Sequence, residues 1–146
     1  MKQNGKLSLA LHALGHMAGQ PALPVTSDVV AAQNRTNPVV VRRVLGLLRN
    51  HGLVTSARGH AGGWLLARPP QSISVADVYL ALGEPFLTAR PLAGGPHCAI
   101  VTTLHRHVTA AMAEAETVML RHLAMTTLAD LASAMQPCNV PAGTQA

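Results

Sequence analysis

Four arginines carry the chemistry that stands out in this 146-residue chain: Arg42, Arg43 and Arg49 within VVVRRVLGLLRN, and Arg58 within SARGHAGGW. A guanidinium is permanently charged and presents a planar fork of N–H donors, which suits phosphates and other acceptors along a polyanion. Around the first three, Val41, Val44, Leu45 and Leu48 recur at i, i+3, i+4 and i+7, so one helical stripe is apolar and the arginines fall outside it. Asn37 is a suitable N-cap with Pro38 at the first helical position, and Asn50-His51-Gly52 is a stop, which predicts a helix over Pro38–Asn50. Leu53 to Ser56 and Trp64 to Ala67 then read as strands. The loop between them, Ala57 to Gly63, holds Gly59, Gly62 and Gly63, which permit positive φ or close backbone approach.

Charge is distributed unevenly. Residues 1–68 hold eight cations (Lys2, Lys6, Arg35, Arg42, Arg43, Arg49, Arg58 and Arg68) against Asp28 alone, a balance of +7. Residues 69–146 hold Arg90, Arg106 and Arg121 against Asp77, Glu84, Glu114, Glu116 and Asp130, a balance of −2. The N-terminal half is built to meet a polyanion and the C-terminal half for something else. Apolar residues make up 49% of the chain but aromatics only 2%, so Leu, Val and Ala on helices must build the core. No apolar run approaches the roughly 18 residues of a membrane span, and the start lacks a signal-peptide layout. A cytoplasmic address is expected. Two cysteines, Cys98 and Cys138, are too few for a disulfide framework and lack paired zinc spacing.

The elements that must position the arginines follow from the same signals. Leu7 to Met17 predicts a first helix with Leu7, Leu11 and Leu14 on one stripe, ended by Gly19 and Pro21. Thr26 or Ser27 caps a short helix to Gln33, with Val29 and Val30 as its apolar contacts, and Gln33 to Asn37 is then the turn of a helix-turn-helix. Ser74 caps a further helix, Val75 to Leu82, stopped by Gly83 and Pro85. A helix followed by a basic-tipped hairpin completes a winged helix-turn-helix over residues 1–85. Residues 86–98, rich in Pro and Gly, read as a linker. A long helix from Ala99 to His122 carries Ile100, Leu104, Val108, Ala111, Ala115 and Val118 at steps of three and four, an apolar face for a twin from a second subunit. Thr127 caps a last helix, Leu128 to Met135. Residues 99–136 are expected to be the dimerisation helices and 137–146 a fraying tail. The fold class is mainly α with a small β-hairpin.

SARGHAGGWLLARP is similar to the S-x-R-G-x-x-G-G-[YW]-x-L-x-[RK]-x-P wing signature of the Rrf-two family of bacterial transcription regulators, and SISVADVYLALGEP and TLADL match that family in type and spacing. The resemblance covers about residues 5–135. It implies a homodimer on a pseudo-palindromic operator in double-stranded DNA, most simply a repressor, with the recognition helix in the major groove and the wing in the minor groove. Carried over by position, the DNA contacts fall on Asn37, Val39, Val40, Arg42, Arg43 and, in the wing, Arg58 with Gly59. Arg49, near the helix end, suits a phosphate. An arginine pairs bidentately with guanine and a hairpin-tip arginine suits a narrow minor groove. Where family members often have Tyr-Leu-Glu, this chain has Val40-Val41-Arg42, replacing an acceptor for cytosine by a donor for guanine or phosphate.

The family's cluster binders carry three cysteines before the long helix, and this chain has only Cys98 there. One thiolate does not anchor a cluster that takes four ligands, so no iron–sulfur cofactor and no metal site are expected. His12 and His16 lie at i, i+4, a metal-pair spacing, with no nearby carboxylate as third ligand; solvated or half-buried polar groups are the simpler account of the eight histidines. Cys98, beside His97 at the start of the long helix, is the candidate redox sensor if the protein responds to a signal, and a small-molecule effector is the other option. Enzyme chemistry finds no support: Glu114 and Glu116 diverge on a helix, and no nucleophile triad or nucleotide loop occurs. The competing class is a winged-helix protein-interaction module without DNA binding.

Overall fold

A computed structural model describes residues 4–88 and 98–134. Six helices and one hairpin follow in the order α1 (Asn4–Gly19), α2 (Ser27–Gln33), α3 (Pro38–Asn50), β1 (Val54–Ala57), β2 (Gly63–Leu66), α4 (Val75–Leu82), α5 (Ala99–Leu123) and α6 (Leu128–Ala134), with one 3-10 turn at Pro70–Ser72. Mainly α with a two-stranded wing is therefore the fold observed. His97, Cys138 and the expected tail lie outside the described residues, as does most of the expected linker.

Helix α1 is the hub, touching α3, α4, α6 and β2. That position changes which of its faces matters. The expected stripe of Leu7, Leu11 and Leu14 is only partly right: Leu14 is fully buried, whereas Leu7 and Leu11 are half-buried at the edge of the core. The deepest contacts are Ala10, Ala13, Leu14 and Met17, because a helix surrounded by several neighbours needs small residues where they approach most closely.

Helix α2 starts where Thr26 Oγ1 accepts the Val29 N–H at 3.3 Å. Its expected pair of apolar contacts is corrected to one: Val30 is completely buried and Val29 is 48% exposed. Adjacent residues on a helix point about 100° apart, so a seven-residue helix docked by one narrow face cannot bury both. Helix α3 agrees with the pattern throughout: Asn37 Oδ1 accepts the Val39 N–H at 2.8 Å, Pro38 follows, and Val41, Val44, Leu45 and Leu48 are the buried residues. Its end is closed by Leu53 N–H donating to the Leu48 carbonyl, 3.0 Å, across Gly52 at φ 68°.

That closure also explains the strand boundaries, which sit one residue from those expected. Leu53 spends its N–H on α3 and is buried in the core, so the ladder begins at Val54, paired with Leu66, and runs to Ala57 opposite Gly63. The 3-10 turn at Pro70–Ser72 had no expectation attached to it; two prolines fix its entry and the Ser72 N–H and hydroxyl both donate to the Pro69 carbonyl. Helix α4 carries a full capping box between Ser74 and Asp77 and ends at Gly83 with φ 65°.

The C-terminal residues return to the first unit. The Leu128 N–H donates to the Ile73 carbonyl and the Val75 N–H to the Thr126 carbonyl, both at 2.9 Å, forming a short antiparallel bridge. Thr127 and Asp130 form a second capping box there; the bonds from the Thr127 N–H and hydroxyl hold the Asp130 carboxyl below its usual range. Helix α6 packs on α1 and Leu128 is completely buried in the common core. Within the expected block 99–136, only α5 has no buried residue. Leu128→Ala should therefore destabilise the winged-helix unit by about 2–5 kcal/mol, as truncation of a buried leucine does. A midpoint shift in urea unfolding worth less than about 0.5 kcal/mol would place α6 outside that core.

Candidate nucleic-acid interface

With one stripe of α3 buried, its other face is left to solvent. Val39 is 54% and Val40 39% exposed, and Asn37, Arg42, Arg43 and Arg49 are all exposed. Arg43 follows Val39 and Val40 by four and three residues, on their side of the helix, and Arg49 stands seven after Arg42, two turns along the same line. No arginine of α3 is in an ion pair: among the described residues the one salt bridge joins Lys6 to Glu84. The carboxylates that could have neutralised this face are engaged elsewhere, Asp77 and Asp130 in caps and Glu116 with Tyr79.

Asn37 is partly committed. Its side-chain oxygen caps α3, leaving the amide NH2 free to donate. A bidentate grip on adenine uses both ends of the amide, so at Asn37 it would have to share the oxygen with the cap.

At the wing, Arg58 and Gly59 are exposed at the tip between β1 and β2. Gly59 takes φ 106°, and its carbonyl accepts the Gly62 N–H at 2.9 Å. A Cβ on Gly62 would stand 2.5 Å from the Ala57 carbonyl oxygen, so the turn closes only with glycine there. Beneath the tip, Trp64 fastens the wing to the start of α2: its indole N–H donates to Ser27 Oγ at 3.0 Å, and its backbone exchanges bonds with Val25 at 2.8 and 3.0 Å. Ser27 is buried, so that indole bond replaces the water both groups lose. Helix face and wing tip are thereby held in one rigid unit.

This arrangement is a basic helix beside a basic-tipped wing, and a family model described as Rrf2, iron-dependent transcriptional regulator, matches residues 4–134. The chain belongs to the Rrf2 family. Rv1287 of Mycobacterium tuberculosis (strain ATCC 25618 / H37Rv), named as a transcriptional regulator of the HTH type, is 34% identical over 144 residues, covering 96% of this chain and 86% of its own. YwnA of Bacillus subtilis (strain 168), named in the same way, is 35% identical over 79 residues, which is 54% of this chain and 57% of that protein. The solved structure of CymR, the global cysteine regulator of B. subtilis, matches with a TM-score of 0.64 at 25% identity, covering 93% of this chain and 99% of CymR. T. potens IscR shares the fold, with a TM-score of 0.61 at 23% identity over 98% of this chain and 92% of its own. These relatives are regulators, and this Rrf2 chain is a transcriptional regulator rather than an enzyme.

The remaining sequence candidates lie apart from the arginine face. Cys98 is half-buried at the N-cap of α5, where its side chain makes no capping bond. His12 and His16 lie side by side on α1, their rings tilted by 59° and their Nε2 atoms 3.1 Å apart; burial, then the neighbouring charge of His16, hold the His12 imidazole below its ordinary value. Among the described residues no three His, Cys, Asp or Glu side chains converge. One feature of the α3 side had no signal in the pattern. Arg35, in the turn between α2 and α3, has φ 51°, a left-handed conformation that costs a residue with a side chain about 1–2 kcal/mol. An arginine in a turn reads simply as a solvated charge, and its backbone angle is not visible from composition.

Proposed function

We propose that this Rrf2 regulator acts as a homodimer on a pseudo-palindromic operator, most simply as a repressor, with α3 in the major groove and the wing in the minor groove. The observation that supports this best is the exposed, ion-pair-free arginine face of α3, rigidly joined to Arg58 at the wing tip. In such a complex Arg43 and Arg42 read guanine edges, Val39 and Val40 offer apolar contact to thymine methyls, Asn37 donates to phosphate, Arg49 meets phosphate beyond the read bases, and Arg58 with Gly59 enters the minor groove. The work is on DNA, which gives the protein a cytoplasmic address. Among the described residues no helix is long and apolar enough to cross a membrane.

Dimerisation is read from α5. None of its 25 residues is buried, and Ile100, Leu104 and Val118 are 80%, 51% and 49% exposed. An apolar stripe of that length calls for a cover, and a second copy of α5 matches it by symmetry. A cluster of its own does not fit this chain: two cysteines are present where four ligands are needed, and Cys98 is the one among the described residues. We therefore read the protein without an iron–sulfur cofactor. If it answers an oxidant, Cys98 is the residue that would transmit the change, because it stands at the junction of the winged unit and α5.

Selection of bound fragments from a random duplex pool should return a palindromic site. Arg43→Ala should then cost about 1–3 kcal/mol and relax one position per half-site, while Arg49→Ala weakens all duplexes alike and makes the salt slope shallower by about 0.9. Retention of a winged-helix protein partner with no duplex binding at low salt would favour the interaction-module reading instead. Leu104→Glu should give a monomer or an aggregate with much weaker operator binding, and a monodisperse wild-type monomer at micromolar concentration in sedimentation would remove the dimer. Oxidant should lower the operator affinity of the wild type and not of Cys98→Ser; an equal response of the two proteins would end the thiol reading.

A further inference from the structure

Between the N-terminus of α1 and the first turn of α3 lies an open cavity of about 440 Å3, lined by Lys6, Ser8, Asn34, Arg35, Thr36 and Val40 among others. Its lining mixes polar and apolar groups, with Lys6 and Arg35 as its cations, and Val40 joins it to the exposed face of α3. Lys6 is occupied by Glu84. Arg35 is the free cation of this cavity: among the described residues its guanidinium has no ion pair and no hydrogen bond.

The backbone at Arg35 makes that freedom informative. Helix α2 closes by a bond from the Thr36 N–H to the Ala31 carbonyl, 3.0 Å, spanning five residues around a left-handed residue. This closure ordinarily takes glycine at the left-handed position, which has no Cβ to strain. Arg35 is the one non-glycine residue at positive φ among those described; the closing bond holds its backbone there, while its guanidinium has no partner among those residues. Strain of this kind at an exposed, unpaired charge points to a contact made outside the chain.

We propose that Arg35 is a phosphate-positioning residue of the operator complex, gripping the DNA backbone beside the groove that α3 enters. The inference rests on the DNA-binding reading above and adds to it a residue outside the recognition helix and the wing. In helix-turn-helix docking the N-terminal part of the recognition helix reaches base edges while the preceding elements cross the backbone. A cation set before the first turn of α3 and toward α1 therefore meets phosphodiester oxygens, with the Ser8 and Thr36 hydroxyls within the same cavity as neutral donors. Such a contact fixes register and orientation and reads no base.

The test uses the full chain with Arg35→Gly and Arg35→Lys, against the selected operator and a random-sequence duplex. Arg35→Gly relieves the left-handed strain, so its melting temperature should rise while affinity for both duplexes falls by the same factor, roughly tenfold at low salt. The slope of log K against log salt should become shallower by about 0.9, and the base profile of the operator should stay as in the wild type. Arg35→Lys should keep the wild-type salt slope. Wild-type affinity and slope in Arg35→Gly would overturn the proposal while leaving the DNA reading intact, as would a change confined to one base position. A wild-type protein that binds neither duplex at low salt would remove both readings together.

Discussion

The bond from the Leu128 N–H to the Ile73 carbonyl, 2.9 Å long, closes the molecule on itself. It ties the start of α6 to Ile73, next to the N-cap of α4, and Leu128 itself fills the core against α1. Because α6 is anchored there, α5 must reach the winged unit by Thr126. A further fastening lies within α5: the Tyr79 hydroxyl donates to Glu116 and accepts the Phe86 N–H, both at 2.8 Å. Tyr79 is buried, which raises its phenol pKa and keeps the hydroxyl a donor to Glu116. Helix α5 is thus held at Glu116 and just beyond its C-terminal end, while none of its residues is buried. A partner covering its apolar stripe would fix the separation of two recognition helices without any contact between the winged units themselves.

The same economy governs charge. The chain has six carboxylates, and four of them are bound into the scaffold: Asp77 and Asp130 in capping boxes, Glu84 with Lys6, Glu116 with Tyr79. Each such bond stabilises an element boundary or a junction. Each also withholds a negative charge from the arginines of α3 and the wing. The positive field at the interface is therefore a consequence of where the acids are used as much as of where the arginines stand.

Where local chemistry specifies an element, the chain was readable. Asn37-Pro38 and Gly52 delimit α3, Ser74 with Asp77 and Gly83 delimits α4, and the glycines of the wing mark its turn, because caps, stops and tight turns act within a few residues of themselves. Long-range choices were not readable. Periodicity shows that α6 has an apolar side, not that the side belongs to α1; it shows Val29 and Val30 as apolar, not which one a short docked helix turns inward. For the candidate site, the exposed arginines of α3 followed from their lying off the apolar stripe and Arg58 from the basic-tipped hairpin, whereas Asn37, Val39, Val40 and Gly59 came from the family resemblance. Arg35 followed from none of these, since the angle that singles it out is imposed by how α2 ends against α3.

The cap at Asn37 bears on how sequence could be read at all. Helix α3 begins where the Asn37 oxygen receives the Val39 N–H, and adenine would have to share that oxygen with the cap. The residues next in line, Val39 and Val40, have no hydrogen-bonding side chain. In the proposed operator complex, hydrogen-bonded discrimination along α3 would rest mainly on Arg42 and Arg43, both exposed and free of ion pairs among the described residues, whose forks match guanine O6 and N7. The valines add shape and apolar contact on the same face. On the proposed reading, an α3 interface of this composition would favour guanine flanked by thymine methyls, a narrower preference than a helix with an uncommitted asparagine or a carboxylate at the same positions would have.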